Sequence, residues 1–305
     1  MVFLEIILIT IGLAAILSAI DFIAKTTSNI THSLGLPEYL TSTIILSFIV
    51  VVPIFLMMHL SNAYDMPALG LSTAMGFALT LITLVMGVFL LKNELPVEYE
   101  GYRNSTFMWA SALLLLVVSF DQYIDRMDAI FLLLLFAFYV VYIVYRTSKS
   151  KEYVYLKQVV FNRILYPVSI MAILISSWFV VYSALNLATN FNLPLGKVGF
   201  IVFGLLFALP LFDIIPSIFR SSRLTFDNIL GNVVVCLTLV PASAAIITPL
   251  PLNLGGEIGI IPLIMLNAAT LIFALATRFT YTLHKKMGVF LIIIYIVSMI
   301  NMFLV

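Results

Sequence analysis

The amino-acid sequence predicts an all-α integral membrane protein with about ten transmembrane helices. The composition, the long apolar runs and the placement of the basic residues support this prediction. Hydrophobic residues make up 63% of the 305 residues, charged residues only 10%, and the mean hydropathy is +1.18. Soluble domains are about half apolar and about a quarter charged. A chain this apolar could not hide its side chains from water, so it requires lipid.

The apolar runs are long and continuous, without the alternation of membrane β-barrel strands. Helices satisfy their backbone hydrogen bonds internally, and about 20 apolar residues cross a bilayer. The first run carries Glu5 and lacks the basic leader of a cleaved signal peptide, so we interpret it as a spanning helix. The predicted helices are 2–24, 39–60, 67–92, 105–120, 128–146, 162–186, 196–219, 226–248, 258–281 and 287–305.

The basic residues are distributed unevenly between the loops that join these helices. Thirteen of the fifteen lie in or beside the odd-numbered loops, and only Arg126 and Lys197 belong to even-numbered ones. Cytoplasmic loops of membrane proteins are enriched in Lys and Arg. The pattern therefore predicts a multi-pass protein of the cell membrane, with the odd loops in the cytoplasm and both termini outside.

A repeat is visible within the chain. Three features recur at an offset of 157 residues and a glycine recurs at 161: Leu36-Pro37 with Leu193-Pro194, Pro53 with Pro210, Phe55 with Phe212, and Gly70 with Gly231. We predict two halves, a first five-helix repeat with the start of a cytoplasmic linker over 1–150 and a second over 151–305. Because each half holds an odd number of helices, the second must be inverted relative to the first. Inverted repeats with interrupted helices are typical of secondary transporters.

The segments around the repeated prolines and glycines resemble the sodium/calcium exchanger family of the calcium:cation antiporter superfamily, over nearly the whole chain. Each repeat of that family carries Gly-Thr-Ser-x-Pro-Glu and then Gly-Asn-x-x-Gly-Ser. Here the first motif is replaced by Ile-Val-Val-Val-Pro-Ile at 49–54 and Leu-Phe-Ala-Leu-Pro-Leu at 206–211. The second is replaced by Gly-Leu-Ser-Thr-Ala-Met at 70–75 and Gly-Asn-Val-Val-Val-Cys at 231–236. The resemblance implies an exchanger-like fold of two inverted five-helix repeats.

The residues that would bind cations in the family are not retained. The matching positions hold Ile54, Leu211, Val50, Val51, Phe207, Ala208, Met75, Cys236, Leu79 and Val240. Ca²⁺ takes about six to eight oxygen ligands, carboxylates among them, and none of these side chains has an oxygen. We therefore predict a degenerate ion site, with no metal site and no standard Ca²⁺ site.

Five residues remain candidates for a substrate or ion path: Pro53, Pro210, Asp213, Ser72 and Asn232. Each proline frees a backbone carbonyl one turn earlier, although prolines are also tolerated as kinks in spanning helices. Ser72 and Asn232 lie beside the degenerate site, where they either contact a ligand or hydrogen-bond between helices. Asp213 lies within a predicted span, where an acid indicates function unless it reaches the helix end.

The sequence predicts neither an enzyme nor a cofactor. It contains no Gly-rich phosphate loop, His-Glu-x-x-His helix or nucleophile triad, and no basic tract for nucleic acid. Cys236 is the single cysteine and lies in an apolar stretch, as an inert core residue would. The outward loop with Asp121, Asp125 and Asp128 is interpreted as solvated turn residues, with an external cation patch as the alternative.

Two functions remain open. The first is a divergent secondary transporter with an altered substrate, for which a monovalent cation or a proton is a candidate. The second is a non-transporting structural or assembly subunit, with a partner protein in a membrane complex. A transporter should have a polar cavity between Pro53 and Pro210, whereas a structural relative should be packed shut there with apolar side chains.

Overall fold

The computed structural model describes residues 2–33, 37–97, 99–147, 165–191, 194–209, 211–212, 222–251, 261–280 and 282–304. Within these residues the chain forms ten helices joined by short connections. Three of them contain a π-helical segment, in which backbone hydrogen bonds join residues five apart instead of four. The helices are α1 (Val2–Ser33), α2 (Glu38–Leu40, Thr41–Ile45 and Leu46–Ala63), α3 (Pro67–Thr80, Leu81–Val85 and Met86–Lys92), α4 (Tyr99–Val118), α5 (Arg126–Thr147), α6 (Leu165–Asn190), α7 (Leu195–Lys197, Val198–Phe203 and Gly204–Ala208), α8 (Ser222–Ile247), α9 (Ile261–Phe279) and α10 (Lys285–Leu304).

The prediction of an all-α membrane protein with about ten helices is confirmed. Eight helices are long and apolar enough to cross a membrane, all except α4 and the described part of α7. Helix α4 begins at Tyr99, six residues before its predicted start, so its first turns carry polar side chains. The protein is therefore a multi-pass membrane protein.

Helices α2, α3, α7 and α8 form the centre of the bundle. In the most apolar 18-residue stretch of α3 and of α8, 83% of the residues are buried. In the corresponding stretch of α5 only 22% are buried, so α5 faces outward. Helices α1 and α6 pack along each other at one side and both contact α2. Helix α4 packs against α9, α5 against α8, and α10 against α3.

Two short antiparallel strand pairs close the two ends of the bundle. Strand β1 (Leu95–Pro96) pairs with β4 (Thr282–Leu283), and β2 (Tyr123–Ile124) pairs with β3 (Leu250–Pro251). The end that holds β1 and β4 is called the basic end here, because the flanking helices carry Lys92, Arg278, Lys285 and Lys286 there. The end that holds β2 and β3 is called the opposite end.

Matching features recur in the two halves. The amide of Thr41 donates to the carbonyl of Pro37, and the amide of Val198 donates to that of Pro194, each at 3.1 Å. A π-helical segment begins at each of the two donor residues, Thr41 and Val198. The first strand after α3 lies at the basic end, whereas the first strand after α8 lies at the opposite end. An inverted repeat would produce these correspondences, and the division into 1–150 and 151–305 stays a prediction that they support.

Candidate functional site

The positions that match the family's cation ligands lie in the buried centre of the bundle. Each is at most 6% exposed, and none carries a side-chain oxygen: Val50, Val51, Ile54, Met75, Leu79, Phe207, Ala208, Leu211, Cys236 and Val240. Burying a divalent cation there would require several oxygen ligands and compensating negative charge. The described residues at these positions form an apolar plug in place of a Ca²⁺ site.

Close contacts between helix backbones seal this plug. A side chain added at Gly76 of α3 would meet the backbone of Phe200 in α7, and one added at Gly204 would meet the backbone of Gly76. Glycine is needed at both positions because the two helices approach without room for a Cβ atom. Across α3 and α8, the Cys236 thiol donates to the carbonyl of Ala74 at 3.5 Å. Cys236 is thus a buried core residue, as the sequence predicts.

Three of the five sequence-predicted candidates, Pro53, Ser72 and Asn232, lie within the described residues. Pro53 lies inside α2 and is buried. Pro210 and Asp213 lie outside the described residues, so the polar cavity expected between the two prolines is not described. The neighbouring Leu211 is buried, and it lines a cavity of about 150 Å³ between α3, α7 and α8 at the basic end. Apart from Lys92, Asn93 and Thr225, the cavity lining is apolar.

Ser72 is satisfied within its own helix. Its hydroxyl donates to the carbonyl of Leu69 at 3.1 Å. Gly199 of α7 packs directly against the same hydroxyl, so the side chain sits in a helix contact. The sequence predicted a ligand contact or a hydrogen bond between helices for Ser72, whereas its hydroxyl bonds within α3 and contacts α7.

Asn232 is the candidate with an unsatisfied polar atom. Its side chain is fully buried, and its amide nitrogen donates to the side-chain oxygen of Asn228 at 3.2 Å. The Oδ1 atom of Asn232 has no hydrogen-bond partner among the described residues. Most buried polar atoms in proteins have a partner, so this acceptor marks a place where a water or ligand could bind.

Asn232 is one end of a connected set of buried polar side chains, called the polar track here. It runs between α2, α4 and α8 and consists of Tyr39, Ser42, Ser47, Asn104, Asp227, Asn228 and Asn232. The Asn228 amide donates to the carbonyl of Ser42 at 2.6 Å and contacts Ser47 Oγ at 3.4 Å. The Ser42 hydroxyl donates to the carbonyl of Tyr39 at 3.1 Å. The track therefore leads from the helix starts at the basic end towards the centre.

The basic end of the track holds a buried acid, Asp227. The Asn104 amide donates to Asp227 Oδ1 at 2.8 Å, and it also lies 2.9 Å from the hydroxyl of Tyr39. The carboxylate is 1% exposed although it lies in the second turn of α8. Three helices thus enclose one carboxylate.

Sequence reasoning missed Asp227 and Asn104. It placed Asp227 at the first turn of a helix beginning at 226 and Asn104 in the loop before 105, where both would meet water. The structure begins these helices at Ser222 and Tyr99, which moves both residues inside the bundle. The available signal was the spacing of Asn228 and Asn232, four residues apart on one helix face and directly after an acid.

The other polar clusters support the simpler interpretations. The carboxylates of Asp121, Asp125 and Asp128 accept hydrogen bonds from backbone amides of their own loop. His59 bonds the carbonyl of Phe55 and stacks on its ring, with 4.1 Å between ring centroids. No group of three or more His, Cys, Asp or Glu side chains arranged to hold a metal occurs among the described residues.

Comparisons with known proteins agree with this architecture. The family model described as sodium/calcium exchanger protein matches residues 4–145. Solved structures of the sodium-calcium exchanger NCX_Mj, soaked with Na⁺ and Sr²⁺, superpose with TM-scores of 0.72 and 0.71 at 18% and 16% identity, and 98% of each chain is covered. The same exchanger soaked without Na⁺ and Ca²⁺ gives a TM-score of 0.69 at 15% identity, with 99% of each chain covered. No curated protein sequence matches.

The structural matches show the fold, and the family model covers the half that contains α1 to α5. The structure adds that the described positions of the family's cation ligands are apolar and buried. The chain therefore has the fold of the sodium-calcium exchangers, and residues 4–145 match the sodium/calcium exchanger family model.

Proposed function

We propose that this protein is a secondary transporter of the exchanger type that carries a monovalent cation or a proton and has no standard Ca²⁺ site. One observation supports the proposal above the others: a buried carboxylate and a chain of buried amides and hydroxyls lead from the basic end to an unsatisfied acceptor at Asn232. Placing an ionised acid within a membrane protein costs about 2.5–3.5 kcal/mol on insertion scales. A purely structural helix bundle gains nothing from that cost.

The charge balance favours monovalent over divalent cations. Along the polar track Asp227 is the one acidic side chain, and the remaining members are neutral amides and hydroxyls. A single carboxylate can compensate one positive charge, whereas a dehydrated divalent ion needs more negative charge and more oxygens. The track therefore suits a singly charged ion.

The second candidate function is a non-transporting subunit of a membrane complex. The apolar plug around Ile54, Met75 and Leu79 supports it, because a structural relative should be packed shut at that place. A transporter must also adopt a second conformation in which the substrate site opens to the other side. A protein that never opens would leave the polar track reachable from one side alone.

Ion flux through purified protein in liposomes separates the two functions. Imposed gradients of H⁺, Na⁺, K⁺ and Ca²⁺ are tested one at a time, with empty liposomes as the control. We expect flux of at least one monovalent ion and no Na⁺-dependent Ca²⁺ uptake. The absence of any flux with correctly folded protein would favour the non-transporting subunit, and gradient-driven Ca²⁺ uptake would contradict the degenerate site.

Asp213 remains a second acidic candidate from the sequence. Pro53 and Pro210 remain candidates for the same path. If Asp213 carries the ion, Asp213→Asn should abolish the monovalent flux while the protein still folds. Unchanged flux in this variant would remove Asp213 from the path. The same assay on Pro53→Ala tests whether the interrupted α2 contributes to the path.

The orientation that we propose places the basic end in the cytoplasm and both termini outside. Lys286 at the basic end and Asp121 at the opposite end are both exposed, so each can be replaced by a cysteine. In a Cys236→Ala background, an impermeant thiol reagent applied to intact cells should label Asp121→Cys and not Lys286→Cys. The reverse pattern would contradict the orientation.

A further inference from the structure

A polar cage surrounds Asp227, built from helices that are distant in sequence. Asn104 of α4 donates to the carboxylate at 2.8 Å, and the hydroxyl of Tyr39 in α2 donates to Asn104 Oδ1 at 3.2 Å. These three side chains are already hydrogen-bonded to one another. The cage therefore orders the Asp227 carboxylate in the present structure.

Tyr139 of α5 brings an unpartnered hydroxyl to this cage. Its side chain is fully buried, and its hydroxyl has no hydrogen-bond partner among the described residues. It lies within electrostatic range of Asp227 and Tyr39, and its ring packs against Phe107 with 5.2 Å between centroids. A buried hydroxyl without a partner is unfavourable, so an acceptor or a water beside it is expected when the protein works.

We propose that Asp227 is the proton-binding group of this protein, taking up and releasing one proton at the basic end beside Tyr139. The inference rests on the proposed function and specifies its ion. In the proton-bound state the carboxyl group carries one O–H, and in the released state it is a carboxylate. Tyr39 and Tyr139 remain neutral throughout, so one proton is the whole change.

The hydrogen bonds within the cage favour a proton over a metal cation. Asp227 Oδ1 and both polar atoms of the Asn104 amide are engaged with each other and with Tyr39. A Na⁺ or K⁺ ion would need several oxygens around it, and the cage would have to lose its internal hydrogen bonds to supply them. A proton needs one carboxylate oxygen.

The charged neighbours and the burial of Asp227 act on its carboxyl group in opposite directions. Described titratable and charged groups from the elements around Asp227 are Tyr39, Arg103, Tyr139, Tyr142, Arg146 and Arg223. Arg146 lies over the ring of Tyr39 at 5.9 Å, and Arg103 over that of Tyr142 at 5.7 Å. These guanidinium groups repel a metal cation and favour the carboxylate, whereas burial favours the protonated form. A group placed between such opposed influences can change its protonation during a transport cycle.

Infrared difference spectroscopy tests the protonation of Asp227 without requiring transport. Folded wild-type protein is compared at low and high pH for the band of a protonated carboxyl group. We expect this band to be lost in Asp227→Asn and shifted in Asp227→Glu, and retained in Asp121→Asn at the opposite end. Persistence of the complete band in Asp227→Asn would overturn the proposal, whatever the protein transports.

Proton flux in liposomes with an internal pH dye provides the second measurement. We expect Asp227→Asn to lose pH-driven flux, Asp227→Glu to retain it with a shifted pH midpoint, and Asp121→Asn to match the wild type. Tyr139→Phe should shift the midpoint while flux persists, because Tyr139 positions the proton-binding group. Wild-type pH-driven flux that persists in Asp227→Asn would refute the inference.

Two outcomes separate this inference from the proposed function. If the wild type shows no flux but the carboxyl band titrates and depends on Asp227, the proton site stands and the transporter proposal fails. If Asp227→Asn does not fold, Asp227→Glu decides, and an unchanged pH midpoint of its band would overturn the proton site.

Discussion

The contact between α2 and α8 and the contact between α3 and α7 are related by the predicted repeat, yet they are built from different side chains. Along α8, a side chain added at Gly231 would meet the carbonyl of Thr43, and the polar track fills the contact around it. Along α3, Gly76 faces the backbone of Phe200 and Gly204 faces the backbone of Gly76. The α2–α8 contact carries hydrogen bonds between the helices, whereas Ser72 in the α3–α7 contact bonds within its own helix.

Under the proposed function, this difference assigns ion movement to the α2–α8 contact. Membrane helices can approach closely through small residues alone, so the α2–α8 contact did not need buried amides to form. Buried polar groups are costly where they are not fully satisfied, as at Asn232 Oδ1. We therefore expect the α3–α7 contact to be important for stability and the α2–α8 contact for ion movement.

The largest expected effect comes from Gly76→Ala in the α3–α7 contact. The new Cβ would overlap backbone atoms of Phe200, which cannot move without separating the helices. We expect destabilisation of about 3 kcal/mol or failure to fold, at the upper end of overpacking effects. Thermal unfolding in detergent measures the change.

The matched control is Gly101→Ala in α4. Its Cβ would lie 2.9 Å from a ring atom of Phe226, and a side chain can rotate away. Its effect should be much smaller than that of Gly76→Ala. Similar losses of stability for the two variants would contradict the importance of the α3–α7 contact.

The second effect comes from Asn228→Leu in the polar track. This change leaves the Ser42 carbonyl and the Asn232 amide without their donor and acceptor. We expect a loss of about 1–3 kcal/mol, because buried groups that lose a partner incur their desolvation cost. The control is Thr238→Val in the same helix, since the Thr238 hydroxyl donates to the Val234 carbonyl of its own helix. An equal loss of stability in both variants would show that the interhelical hydrogen bonds of Asn228 add nothing to the stability of the fold.

The third effect is smaller, because two changes oppose each other. Asn232→Leu removes a buried acceptor that has no partner among the described residues, but it also removes the donor to Asn228 Oδ1. We therefore expect stability to change by less than about 1 kcal/mol. If Asn232 serves ion movement, monovalent flux should fall in the same variant. Unfolding and flux are measured on one preparation, and unchanged flux would remove Asn232 from the path.

The smallest effect separates two buried serines. Ser47 contacts the Asn228 carbonyl across the helix contact at 3.3 Å, whereas Ser72 bonds its own helix. We expect Ser47→Ala to cost about 1 kcal/mol and Ser72→Ala less than about 0.5 kcal/mol. A larger loss for Ser72→Ala, measured by the same unfolding assay, would place the important polar contact in the α3–α7 half.

The sequence by itself determined the membrane class, the ten helices and the exchanger-like fold. These follow from quantities that act along the chain: a length of apolar residues sufficient to cross lipid, and prolines and glycines at fixed spacing. It also determined that the positions matching the family's cation ligands lack oxygens, because residue type alone excludes a carboxylate. The helix starts were less well predicted, since polar first turns resemble loops in composition.

Only the tertiary structure decided which polar residues meet. Tyr39, Asn104 and Asp227 are separated by 65 and 123 residues, and each alone is an ordinary residue near a helix start. Their contact depends on how α2, α4 and α8 pack side by side, which local spacing does not specify. Among the described residues, the same packing leaves Asn232 Oδ1 and the Tyr139 hydroxyl without partners. Whether a buried polar atom is satisfied depends on groups from other helices, so no pattern along one helix could reveal it.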